Sequence, residues 1–142
     1  MTKKEQIMQA LYNGLESIMI ANKFILFRNK EVELELDSED RLVNVIDGSS
    51  DVIDTILSPK IETIQLEIPL ELYIQEEKSK DINIELDSFE EKIRSTIKNN
   101  ADLNDLIKDL SFTQSETSLL EPENGAAFKL SSFNLVVVFD DN

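Results

Sequence analysis

The chain has 142 residues, 41% of them hydrophobic, with 29 acidic against 14 basic side chains for a formal net charge of −15, and it contains neither His nor Cys. That length supports one core, so a single domain over residues 1–142 is expected, and the charge opposes phosphate backbones and anionic headgroups alike. Without imidazole or thiol there is no His general base, Ser-His-Asp triad, His-ligated metal, Cys nucleophile, zinc ribbon or redox pair; no cofactor is expected, and the charge leaves no membrane partner expected.

Thr2-Lys-Lys-Glu5 is a capping-box pattern, and Ile7, Met8, Leu11, Leu15, Ile18 and Met19 recur on one helical face, predicting a helix over residues 3–21. Glu5, Gln6, Gln9, Asn13 and Glu16 interrupt what would have to be the apolar run of a signal peptide. The longest apolar stretch, residues 18–27, is broken by Asn22 and Lys23 and is too short to span a bilayer.

Beyond Asn22 the period changes to two. Residues 24–27 form a short apolar run, and Val32, Leu34 and Leu36 alternate with acids. After a polar turn at residues 38–41, Leu42, Val43, Val45 and Ile46 follow, so two or three strands fit. Asp47-Gly48 is expected to close a tight turn, with Ser49, Ser50 and Asp51 as loop. Ile64, Leu66, Ile68, Leu70, Leu72 and Ile74 then occupy every even position of a long half-buried strand. Pro69 lies on its outward face and cannot donate to a ladder, which predicts a sheet edge or a bulge, the edge being either protected or a subunit contact.

Ile82, Leu86, Phe89, Ile93 and Ile97 predict a second helix, ended by Asn99-Asn100. Its start is open between residues 81 and 88, because Ile82, Ile84 and Leu86 also alternate and Ser88-Phe-Glu-Glu91 offers a capping box. Leu103, Leu106 and Ile107 suggest a short further helical turn, Leu110 and Phe112 a strand, and residues 113–125 a long polar hairpin tip. Phe133, Leu135, Val137 and Phe139, with Val136 and Val138 between, make a last strand apolar on both faces and therefore central. The order α-β-β-β-α-α-β-β gives an α+β fold, a mostly antiparallel sheet packed against an N-terminal and a central helix.

Chemical signatures are few. Adjacent carboxylates such as Glu76-Glu77 and Glu90-Glu91 lack the contrast of one apolar and one solvated site that an acid–base pair needs. Asp47, Asp51 and Asp54 are the nearest approach to a divalent-cation set, but Gly48 falls in the second place of an EF-hand register and Ser58 in the twelfth. No metal is therefore expected. Only Gly14, Gly48 and Gly125 are glycines, so no phosphate-cradling loop exists, and the aromatic residues are not interleaved with bases as a single-strand platform requires.

The helix carrying Glu85-Leu-Asp-Ser-Phe-Glu-Glu-Lys-Ile-Arg94, the stretch Ala101-Asp-Leu-Asn-Asp-Leu-Ile107, the polar tip Glu121-Pro-Glu-Asn-Gly125 and the closing Ser131-Ser-Phe-Asn-Leu-Val-Val-Val-Phe139 resemble the tail terminator (minor tail protein) family of long-tailed phages. With the N-terminal helix and the strand from Ile64, the resemblance covers nearly the whole chain. It implies a non-enzymatic virion protein, assembled in the host cytoplasm into a ring, usually hexameric, at the head-proximal end of the tail. Such a ring ends polymerisation of the tail tube protein, offers a surface to a head completion protein and lets genomic DNA pass without specific binding. By position, the residues expected to meet neighbours are Asp47, Gly48, Ser49, Ser50 and Asp51 in one loop, Pro69 and Glu71 on the long strand, and Ser115, Glu116, Glu121, Glu123 and Asn124 at the tip. Two alternatives remain open: a head-tail connector or completion protein, and an acidic DNA mimic with a basic partner.

Overall fold

The computed structural model describes residues 1–29, 41–78, 80–121 and 127–142. The expected strand at Val32, Leu34 and Leu36, most of the turn at residues 38–41, and Glu123 and Asn124 of the expected tip lie outside the described residues.

Helix α1, Lys3–Asn22, starts where the capping pattern places it, with the Glu5 N–H donating to the Thr2 hydroxyl at 3.1 Å. It ends in a Schellman motif: Lys23 adopts φ 63°, its N–H bonds the Ile20 carbonyl, and the Phe24 N–H reaches the Met19 carbonyl at 3.0 Å. Its predicted apolar face is buried at Ile7, Met8, Leu11, Leu15 and Met19, with Ile18 packed at the margin.

Strands β1 (Ile25–Arg28), β2 (Arg41–Val45), β3 (Ser49–Leu57) and β4 (Lys60–Gln75) follow, then a 3-10 turn at Glu76–Lys78 and helices α2 (Ile82–Lys98) and α3 (Ala101–Asn104). Strands β5 (Asp109–Phe112), β6 (Glu116–Leu120) and β7 (Phe128–Asp141) complete the chain. The α+β order expected from the sequence holds. The sheet runs β1-β2-β4-β7-β5, with β3 beside β4 and β6 beside β7, and every pairing is antiparallel except β1 with β2. β7 is central, as its two apolar faces predicted.

Three expectations are corrected and one open choice is decided. Residues 49–51 begin strand β3 instead of a loop, and Asp47-Gly48 closes no hairpin. β2 and β3 are successive partners of the same flank of β4, so the chain runs straight on and completes the ladder that β2 leaves open. Residues 116–120 of the expected polar tip are strand β6, which covers the matching flank of β7 from Phe128 to Ser132. Pro69 is not at an edge: β4 is flanked by β7 across Pro69, which faces Asn134, and by β2 and β3 on the other side. Helix α2 starts at Ile82, which puts the Ser88-Glu91 capping box inside it. The four-three-four spacing wins over the alternation because it buries Leu86, Phe89, Ile93 and Ile97 and leaves only Ile84, 70% exposed, outside.

One face of the sheet carries the core. Even positions of β4 and odd positions of β7 meet the apolar faces of α1 and α2, including Leu66, Ile68, Leu70, Leu72, Leu135 and Val137, all fully buried. Asn100 ties α3 to α1. It caps α3 by accepting the Leu103 N–H at 3.1 Å, and its Nδ2 donates to the Ala10 carbonyl at 2.9 Å. Gly14 leaves the room: a Cβ there would lie 2.3 Å from that Nδ2. The link between β5 and β6 is pinned by Arg94, whose guanidinium lies 4.4 Å from the Phe133 ring centre and donates to the Thr113 carbonyl at 3.1 Å. On the opposite face a smaller cluster buries Leu42, Tyr73 and Phe128.

Candidate assembly interface

The stretch Asp47 to Asp51 is where β4 changes partners. The Ile46 N–H donates to the Pro69 carbonyl at 3.0 Å, and Ser49 is next in register with Glu67, so Asp47 and Gly48 together stand opposite Ile68. This is a bulge by count, and it falls where Pro69 has no N–H to give. A side chain at position 48 would place its Cβ 1.3 Å from the Glu67 carbonyl oxygen, so only glycine admits so close a backbone approach.

The bulge is held by the end of β1 and the start of α1. Arg28 pairs bidentately with Glu5, at 2.8 and 2.9 Å, and with Asp47, at 2.8 and 3.0 Å. Hydrogen bonding to Arg28 keeps both carboxyls below the usual carboxylate range. The Asp47 N–H donates to Asn29 Oδ1 at 2.7 Å, and Lys4 Nζ bonds the Gly48 carbonyl at 2.9 Å. Asp47 is thus engaged in fixing the chain. Asp51 and Asp54 lie along β3, and among the described residues no three His, Cys, Asp or Glu side chains converge as a metal set.

Beyond the bulge, all nine residues of β3 are exposed. Val52, Ile53 and Ile56 stand 52–54% exposed and Leu57 81%. Four large aliphatic side chains, spread over both faces of one edge strand, stand without a burial partner among the described residues. A second bulge sits here, since Val52 pairs with Ile64 and Asp54 with Thr63, leaving Ile53 extra. A bulge and two aspartates on an edge block ladder extension by a foreign strand. Contact through side chains stays open to it.

The other selected residues fall elsewhere. Glu71 lies on the open face of the sheet and accepts from Asn44 Nδ2 at 3.4 Å. Glu116 is on β6, Ser115 just before it and Glu121 just after it, along the opposite edge of the sheet from β3. Only the stretch from Asp47 to Asp51 and Pro69 is therefore brought together. Sequence reasoning missed Val52, Ile53, Ile56 and Leu57, whose adjacent pairs fit neither a strand nor a helix period. No described helix is long and apolar enough to cross a membrane. No protein-family model and no curated protein matches the chain.

Proposed function

We propose that this protein is a structural subunit that assembles with copies of itself into a ring, of the kind that caps a phage tail tube, ends its growth and offers a joining surface to the head, without catalysing a reaction. The observation that carries this reading is β3, an edge strand with four of the exposed large aliphatic residues within six positions and no second strand beside it among the described residues. A bulge locked by Arg28, Asn29 and Lys4 holds that strand in a fixed place, as a recurring contact requires. Charge supports the second half of the reading. Six copies at −15 each bring −90, and acids facing a central hole would let DNA slide through without adhering.

Negative-stain imaging of the purified protein tests the reading. Annular particles with an open centre are expected, and their addition to growing tail tubes should shorten the tubes. Single-subunit particles at every concentration, with no effect on tube length, would contradict it.

A further inference from the structure

A groove lies far from β3, at the other end of helix α1. Between the C-terminus of α1 and the start of α2 there is an open groove of about 470 Å³. The stacked pair Phe24 and Phe89, ring centres 3.9 Å apart, lies buried beneath it, each 3% exposed, and the apolar surface the groove offers is Ile84, 70% exposed on its rim. Lys80, Lys92 and Arg41 line it against Asp81 and Glu85, and Arg41 is bound to Glu85 at 2.8 Å. Among the described residues the groove thus sets the exposed Ile84 beside two exposed lysines, Lys80 and Lys92, on a molecule whose overall charge is −15.

The β3 edge carries the opposite charge. It presents Val52, Ile53, Ile56 and Leu57 interspersed with Asp51 and Asp54. The two surfaces are far apart. Lys3 and Lys4 at one end of α1 bond the Asp140 and Gly48 carbonyls beside the start of β3, while Asn22 at the other end lines the groove. Twenty helical residues separate these ends by about 30 Å. The β3–β4 tip lies farther still, because Lys60 begins the strand whose Ile74 pairs with Arg41 at the groove.

We infer that the groove of one subunit receives the β3 edge of the next, aliphatic side chains against Ile84 and Asp51 and Asp54 against Lys80 and Lys92. Two different patches at opposite ends of a subunit make a heterologous, head-to-tail contact, which closes into a ring or runs on as a filament according to the rotation it imposes. The local charge match also opposes the repulsion between copies at the place where they meet. The inference rests on the self-assembly proposed above and specifies its contact.

Charge reversal tests it by analytical ultracentrifugation of the full chain. Lys80→Glu with Lys92→Glu takes the net charge from −15 to −19 and is expected to weaken self-association by about tenfold or more. Lys98→Glu with Lys129→Glu, the same charge change elsewhere, should weaken it far less. Adding Asp51→Lys and Asp54→Lys to the groove pair returns the net charge to −15 and should restore association. All four positions in the swap are exposed, and circular dichroism verifies that each variant folds. Equal loss in the groove and remote variants, or no recovery in the swap, overturns the contact while leaving self-assembly standing. A wild-type protein that remains monomeric throughout overturns both.

Discussion

The Ile46 N–H donates to the Pro69 carbonyl at 3.0 Å, and Pro69 has no N–H to return the bond. Around that missing donor the neighbouring strand takes on an extra residue, and Gly48 comes so close to Glu67 that no side chain fits. Gly48→Ala must push the two strands apart and is expected to destabilise by about 3 kcal/mol, the upper end for overpacking. Urea unfolding reads this as a lower midpoint with an unchanged slope. A midpoint equal to that of the wild type would mean that the bulge has slack.

Arg28 bridges Glu5 and Asp47, and both carboxyls are held below their ordinary range chiefly by hydrogen bonds to it. A carboxyl whose folded pKa is depressed contributes stability that is fully present above its unfolded pKa, about 4, and is lost as pH falls through the folded value. Arg28→Gln should therefore lower the urea midpoint at pH 7, and the gap to the wild type should shrink below about pH 4. Asp140, held low mainly by its hydrogen bond with Thr63, responds alike in both proteins and cancels from the difference. A gap that does not change with pH would assign the effect of Arg28 to packing.

Asn100 occupies the space left by Gly14, caps α3 and bonds the Ala10 carbonyl. Asn100→Ala is expected to cost about 1–2 kcal/mol from the cap and the cross-helix bond. Gly14→Ala displaces the same side chain, so the double variant should cost less than the two single changes together, with a coupling of at least about 0.5 kcal/mol. Additive costs would show that the two residues are energetically independent.

The parts of the fold that pack on themselves are legible in the sequence. α1, β4, α2 and β7 bury one face each, and burial writes a period of 3.6 or 2 into Ile7 to Met19, Ile64 to Ile74, Leu86 to Ile97 and Phe133 to Phe139. β3 writes no such period, because both of its faces are exposed and the extra Ile53 shifts the alternation midway. β6 was hidden by its polar residues, which the sheet tolerates at an edge with exposed side chains. The candidate interface was half legible. Asp47 to Asp51 marked the place, but the partner that fixes Asp47 lies 19 residues away at Arg28, and the groove unites Asn22, Arg41 and Lys80, which no local spacing connects.

Self-association is the central claim, and sizing by light scattering across a salt series tests it most directly. At about 0.01 M salt the screening length, roughly 30 Å, equals the length of α1 and the repulsion between copies at −15 each is screened little. At about 0.15 M it falls to roughly 8 Å, leaving contacts at the interface. The expected result is a monomer at the lower salt and a discrete multimer at the higher, with magnesium acting in the same direction. A monomer at every salt and magnesium concentration, including in the presence of tail tubes, would contradict the account.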